Sequence, residues 1–356
     1  MASRAAVLSS PAEASSINSP AVRTWLYLLS FLVALMVVIG GYVRLTRSGL
    51  SIVEWNVITG VLPPLSEAAW QAEFAKYQQT PEFQKINFNM TLEGYRRIFL
   101  IEWAHRLIAR LVGLVVLIPL AWFLLRGTIP RRQAGVYVAL LALFGFQGFL
   151  GWFMVASGLV DRPHVSPYRL TIHLLTALLI LGLAWWKALD LTPRFAAVRR
   201  RPAQRGLRLL ARLLMAVALL QIAYGGLVAG LKAGYVSNTW PLMFGTLVPQ
   251  GLLAILQPWW LNLVEAPTTV HFIHRWFAFV VLIVALVFWW RARRANEAAT
   301  LRQGSLFMVA IVVFQILVGI GVVIWSVPLP VALLHQGVAV ALFAAALFLN
   351  HQLARP

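Results

Sequence analysis

The sequence predicts an all-α membrane protein of eight transmembrane helices, arranged as two parallel four-helix-bundle repeats. Three observations carry that prediction. Hydrophobic residues make up 60% of the 356 and charged residues 12%, where soluble chains run at roughly half and a quarter, and mean hydropathy is +0.78. Eight apolar runs approach the length of about 20 residues that crosses a hydrocarbon layer of about 30 Å. The second half of the chain also repeats the first. Together these exclude a disordered chain, a disulfide scaffold and an ordinary soluble enzyme. The absence of cysteine excludes thiolate chemistry, zinc–thiolate sites and cysteine-ligated iron–sulfur clusters.

Taken in chain order, residues 1–22 are rich in Ser and Ala and carry no apolar run, so they read as a disordered tail without a secretory signal. A transit peptide there would be short and weakly marked. The eight spans are expected at Trp25–Val43, Ile98–Leu125, Ala134–Ala156, Leu170–Leu189, Leu207–Leu231, Thr268–Trp290, Leu306–Val327 and Val331–Asn350. None shows the period-two alternation of a barrel strand. The charge balance is 30 Lys+Arg to 11 Asp+Glu, net +19. The basic residues fall in short connections between spans, so orientation in a bilayer explains them better than nucleic acid does. Arg126, Arg131 and Arg132 lie between spans two and three. Lys187, Arg194, Arg199, Arg200, Arg201 and Arg205 lie between four and five, and Arg291, Arg293, Arg294 and Arg302 between six and seven. These connections and both termini are therefore expected on the cytoplasmic side. The outer connections are then 44–97, 157–169, 232–267 and 328–330, of which the first is long enough to fold as a cap.

The repeat is legible residue by residue. Gly40-Gly41-Tyr42-Val43 aligns with Gly225-Gly226-Leu227-Val228, an offset of 225 − 40 = 185. Arg47 then meets Lys232, Gly49 meets Gly234, Trp55 meets Trp240, Gly60 meets Gly245 and Pro64 meets Pro249. Further on, His105-Arg106 meets His274-Arg275, Phe146-Gln147 with Gly151 meets Phe314-Gln315 with Gly319, and His173 meets His335. An even number of spans per repeat makes the halves parallel about an axis along the membrane normal. The expected organisation is a tail (1–22), an N-terminal repeat (23–190), a basic linker (191–206) and a C-terminal repeat (207–356).

Seven histidines are present. His164, in an outer loop, and His351, at the C-terminus, are expected to be solvated. His105, His173, His271, His274 and His335 lie near the outer ends of even-numbered spans. Alone, a histidine in a span reads as an interhelical hydrogen bond or part of a proton path. Two symmetry-related pairs at one depth, His105 with His173 and His274 with His335, favour the bis-imidazole clamp of a haem iron. Zinc fits less well, because no cysteine or carboxylate ligand lies near His271 and His274 at that depth.

The halves differ at one telling position. Ile101-Glu102-Trp103-Ala104-His105-Arg106 superposes on Val270-His271-Phe272-Ile273-His274-Arg275, so Glu102 stands where the other half has His271. Glu102 shares a helix face with His105 and is a candidate to exchange protons or hold partial positive charge beside one haem. Pairing with Arg106, four residues on, is the alternative. Arg44, Arg47, Arg106, Lys232 and Arg275 are candidates to meet haem propionates, against snorkelling to lipid headgroups. Trp25, Trp185, Trp186, Trp259, Trp260, Trp289 and Trp290 read as interface anchors.

The Glu-x-x-His-Arg of span two, the His-x-x-His-Arg of span six, the single histidines of spans four and eight, and the stretch from Gly40 to Trp55 together resemble the haem A synthase family, over about Trp25 to Asn350. The resemblance implies oxidation of the C8 methyl group of haem O to a formyl group, giving haem A for cytochrome oxidase. It implies His105 and His173 as axial ligands of substrate haem O, His274 and His335 as ligands of a haem b cofactor, and Glu102 as the essential glutamate. It also implies haem O synthase and oxidase assembly factors as partners, with a homo-oligomer as a further expectation. Some members carry a cysteine pair in the first outer loop; this chain has none and resembles the cysteine-free branch, so a thiol relay has no place here. A bacterial inner membrane is expected over a mitochondrial one, from the short N-terminal extension. The alternatives are a bis-histidine di-haem cytochrome b for electron transfer and, from the internal repeat, a transporter.

Overall fold

The computed structural model describes residues 19–160, 163–195, 205–295 and 298–354. Most of the expected tail, and Arg199, Arg200 and Arg201 of the basic linker, lie outside the described residues. Among the described residues, eight helices are long and apolar enough to cross a membrane: Pro20–Leu45, Leu92–Leu125, Arg131–Ala156, Pro167–Asp190, Arg205–Gly230, Pro267–Arg294, Ala299–Ile324 and Leu329–Leu353. They are referred to as spans one to eight. Each covers most of its apolar run, and most extend beyond it, because helical hydrogen bonding continues into polar flanks that hydropathy does not register. Ser19, Thr91 and Ser166 cap spans one, two and four by accepting from the main-chain N–H three residues on. Residues 20–22 thus belong to a helix and not to the tail. Span two begins at Leu92 rather than Ile98, and its added turns carry Glu93, Arg96 and Arg97.

Within each half the four spans close a ring. Span one packs on two and four, and three packs on two and four; spans five to eight repeat the pattern. The second and fourth helix of each ring therefore face one another diagonally. The halves meet through span four on span five, span eight on span one, and span four on span eight. Close approach there depends on small residues, as expected where lipid removes the hydrophobic drive between helices. A Cβ on Gly41 would strike the Gln336 amide, and one on Gly226 would lie 2.8 Å from Thr171 Oγ1. Two apolar cores follow the halves. One gathers Leu26, Leu29, Val116 and Ile180; the other Leu214, Phe288, Met308 and Leu349.

Two sequence expectations are corrected at the opposite end of the bundle from the cap. His351 is not solvated: it is 0% exposed, because span eight runs to Leu353 and packs its last turn on the end of span four. Its Nε2 lies 3.0 Å from Asp190 Oδ1 and its Nδ1 2.9 Å from Gln352 Nε2, with Trp186 edge-on to the ring. Trp25 is not an interface anchor. It is buried, donates from Nε1 to the Val115 carbonyl (2.8 Å) and packs on Phe123 and Tyr137. Trp259, Trp260 and Trp290 are exposed, and His164 is exposed as well.

The first outer connection folds as a cap. Helices Glu67–Gln78 and Pro81–Lys85 enclose Tyr77 and Phe83 against Tyr95 and Phe99 of span two, with the Tyr77 and Tyr95 rings stacked at 5.1 Å. Glu82 lies under this aromatic core, 5% exposed, and accepts from the Tyr77 hydroxyl at 3.3 Å. Burial, reinforced by the charge of Glu102, pushes its carboxyl up to about 7, against a partial opposing effect of the Tyr77 hydrogen bond. A raised pKa means that the folded cap binds this proton more tightly than the unfolded chain does. Cap stability is therefore fully present below the ordinary carboxylate range and declines as pH rises through 7. Glu82→Gln is expected to abolish that decline, read as hydrogen-exchange protection of residues 67–90 at pH 5 and pH 8.

Candidate functional site

The four histidines expected to pair occupy equivalent places. His105 and His173 sit on diagonal spans two and four, and His274 and His335 on diagonal spans six and eight. Each is half-buried. Each imidazole also meets a glycine of an odd-numbered span. A Cβ on Gly40 would stand 3.5 Å from His105 Nε2 and one on Gly151 3.4 Å from His173 Cε1. On Gly225 it would stand 3.2 Å from His274 Cε1, and on Gly319 2.9 Å from His335 Cε1. One helical turn before three of these glycines comes a glutamine that donates to the carbonyl of the same histidine. Gln147 reaches His173 O at 3.0 Å, Gln221 reaches His274 O at 2.9 Å and Gln315 reaches His335 O at 2.9 Å. Before Gly40 the corresponding residue is Met36.

This arrangement fits an iron porphyrin. The His274 and His335 ring centroids are 6.3 Å apart and nearly perpendicular in plane, a gap that admits one metal atom bonded at about 2 Å to a nitrogen of each ring. The Nδ1 atoms of His173, His274 and His335, and of His271 beside them, are buried without a hydrogen-bond partner, although buried polar atoms ordinarily have one. Among the described residues no group of three or more His, Asp or Glu side chains converges on a point that could hold a bare metal ion. Two imidazoles suffice only where a macrocycle supplies the remaining ligands.

One turn outward from His105 and His274 the halves share a frame but not a chemistry. Arg106 donates from its two terminal nitrogens to Glu54 O and Ile52 O, both at 3.0 Å. Arg275 donates in the same way to Thr239 O (2.9 Å) and Ser237 O (2.8 Å). The acceptors keep the offset of the repeat, 239 − 54 = 237 − 52 = 185. Each arginine thus pins the start of its outer loop over the histidine pair. Its remaining nitrogen, Nε, differs in partner: Arg275 Nε donates to His271 Nε2 at 3.0 Å, whereas Arg106 Nε donates to Glu102 Oε1 at 3.1 Å.

Glu102 is 3% exposed and accepts five hydrogen bonds. Arg106 Nη2 adds a 2.6 Å contact to Oε1, so the ion pair weighed as the alternative is present. Oε2 takes Ser51 N (2.8 Å), Ser51 Oγ (2.7 Å) and Ile52 N (3.0 Å). The equivalent of Ser51 in the other half is Val236 (236 − 51 = 185), which has no hydroxyl to give. Trp55 stacks on the Arg106 guanidinium at 4.7 Å and its far edge lies beside Gly151. Its repeat mate Trp240 stacks on Trp276 and Phe279 instead.

The five candidate propionate contacts fall into two groups. Arg106 and Arg275 are committed to the outer loops as described. Arg44 donates to the Ala229 carbonyl, across the boundary between the halves. Arg47 and Lys232 are exposed at equivalent turns, each with φ of 55°. Partial loss of hydration, then the charges of Arg47 and Arg44, hold the Lys232 ammonium below its ordinary value. Arg44, Arg47 and Lys232 therefore form one cationic group at the cap end of the bundle.

Ser51, Trp55 and the three glutamines are the site residues that sequence reasoning passed over. Their signal was present as Gln-x-x-x-Gly at 147–151, 221–225 and 315–319. Aligning half against half pairs span one with five and three with seven, and never sets all four together.

The sequence model of the COX15-CtaA family, described as a cytochrome oxidase assembly protein, matches residues 23–347. The chain is similar to a haem A synthase of Mesorhizobium japonicum, 46% identical over 331 residues, covering 92% of this chain and 90% of that one. A haem A synthase of Brucella anthropi is 43% identical over 325 residues (91% and 90%). Another from Nitrosospira multiformis is 41% identical over 334 residues, covering 94% of both chains.

Proposed function

The chain belongs to the COX15-CtaA family of cytochrome oxidase assembly proteins, and from that premise we propose a division of labour between its halves. It is an enzyme of haem A synthesis, an oxidoreductase that converts haem O to haem A. His105 and His173 hold the substrate haem O; His274 and His335 hold a haem b cofactor; Glu102 stands beside the C8 methyl group that becomes the formyl group. The observation that carries this reading is the replacement of His271 by Glu102 in otherwise matching frames.

Haem b, when bound, supplies a one-electron carrier. The other tasks fall to the chain. Trp55 and the aromatic cap cover the outer face of the N-terminal pair and keep water from the reacting edge. Five donors fix both oxygens of Glu102 in advance. A carboxylate held in that way stabilises positive charge developing at the methyl carbon, or accepts its proton, without reorganising. A methyl-to-formyl conversion removes more electrons than one haem iron holds, so an external acceptor or oxygen takes part. The apolar bundle suits lateral access of haem O, with its farnesyl tail, from the bilayer. Arg44, Arg47 and Lys232 are the basic side chains best placed to meet propionates.

The eight spans make this a multi-pass membrane protein. The concentration of Lys and Arg in the connections after spans two, four and six supports cytoplasmic termini in a bacterial inner membrane, with the haem sites toward the outside. Haem O synthase and oxidase assembly factors are the partners this role calls for.

Pigment extraction from purified protein is expected to yield haem b together with haem A or a hydroxylated intermediate. Haem b alone, filling both halves, would instead indicate a di-haem cytochrome b. Glu102→Ala is expected to keep both pigments bound while formyl production falls about 10²- to 10⁴-fold; unchanged production removes the catalytic role. Replacing His274 or His335 with alanine is expected to remove the haem b spectrum. Gly319→Ala places a Cβ 2.9 Å from His335 Cε1, so the ring must shift. Loss of haem b occupancy, with substrate-half pigment retained, is the expected result by absorbance and extraction.

A further inference from the structure

Three of the four histidines are held twice, by a glycine that lets the helix approach and by a glutamine on the histidine carbonyl. His105 is held once. Gln147, Gln221 and Gln315 each stand four residues before the glycine that meets the ring, and each donates to the main chain of that histidine at 2.9–3.0 Å. Met36 occupies this position before Gly40, packed among the apolar residues of the N-terminal core. A thioether has no N–H to donate. The repeat makes the comparison close: Met36 and Gln221 are related by the same offset as the glycines, 221 − 36 = 225 − 40 = 185. The pinning arginine and its two loop carbonyls are shared, whereas the bonds from Ser51 and Ile52 to Glu102 have no counterpart around His274.

We propose that Met36 makes His105 the releasable ligand of the four, so that the porphyrin between His105 and His173 exchanges while the one between His274 and His335 stays. This rests on the assignment of substrate to the N-terminal pair and supplies what that assignment needs. A substrate must arrive and a product must leave, whereas a cofactor is retained. Span four is tied to span three through Gln147, span eight to span seven through Gln315 and span six to span five through Gln221, whereas span two has no such tie to span one, which carries its glycine. Without that tie, one hydrogen bond fewer has to break when the outer turns of span two, with the His105 ring and the Ser51–Ile52 segment bonded to Glu102, move away from span one. A Gln at 36 would have to break its hydrogen bond each time the ligand withdrew. Met36 and Gln221 are positioning residues: they act through the histidine and touch no reacting atom.

The test measures release of each pigment from purified protein into excess apomyoglobin, with extraction identifying which haem has left. In the unaltered chain, haem O and haem A are expected to leave faster than haem b. Met36→Gln is expected to slow release of haem O and haem A about three- to tenfold, the range that one net hydrogen bond supplies, with haem b release unmoved. Gln221→Met is expected to speed haem b release by a similar factor and leave the other pigment alone. This half-by-half selectivity separates positioning from a general loosening of the fold, which would speed both. Equal release of the two pigments from the unaltered chain, or no pigment-selective change in either variant, overturns the proposal while leaving the haem assignment standing. If the preparation carries haem b alone, the underlying assignment fails, and the proposal falls with it.

Discussion

Placing imidazoles inside a hydrocarbon layer is the constraint from which the rest of this structure follows. A polar ring there needs a partner, and its helix must come close enough to neighbours to leave no gap. The protein meets the second requirement with a glycine opposite every ring, at distances where a Cβ would touch the imidazole. It meets part of the first with the Gln147 and Gln315 amides, which lie 3.4 and 3.3 Å from Nε2 of His173 and His335. The Nδ1 atoms left unpartnered on His173, His274 and His335 mark what the polypeptide does not satisfy by itself. The outer loops complete the frame, each pinned by an arginine that reaches back from span two or span six to two loop carbonyls.

Because the two halves use one frame, their differences carry the functional content. A neutral imidazole beside Arg275 and a carboxylate beside Arg106 are exchanges at a single position, yet the supporting loop has changed with it. Ser51 gives Glu102 a hydroxyl and a main-chain N–H, where the other loop presents Val236. The N-terminal half also carries the folded cap, whose aromatic core rests on span two just outside Glu102. Such linked changes around one side chain are what a reacting site requires. An electron-carrying site needs only the clamp.

Much of this was legible in the sequence, for identifiable reasons. Eight apolar runs and a gapless repeat are long-range regularities, and the histidines stand out against them. Features fixed by a single tertiary contact were not legible. Hydropathy puts the start of span two at Ile98 rather than Leu92 because the first turns carry charge: Arg96 pairs with Glu67 of the cap, and Glu93 and Arg97 are exposed and pair with each other. Trp25 and His351 were set at the surface because ends of spans usually are, but Trp25 turns inward to the Val115 carbonyl and the last turn of span eight packs on Asp190. Ser51 escaped notice because a main-chain N–H donor in a loop has no periodic pattern to reveal it.

The Gly-Gly pairs show how the two levels of the architecture are joined. Neighbouring residues on a helix point about 100° apart, so a pair can serve two surfaces. Gly40 and Gly225 admit the histidine rings of their own halves, while Gly41 and Gly226 admit Gln336 and Thr171 from the opposite half. Gln336 follows His335 directly and donates to the Val37 carbonyl of span one at 2.6 Å. The helix turn that admits the His105 ring is therefore the same turn that docks the C-terminal half, and the residue after His335 sits on it. A shift of span one at Gly40 cannot avoid pressing on span eight beside His335. The two histidine pairs are therefore joined through the packing of span one on span eight.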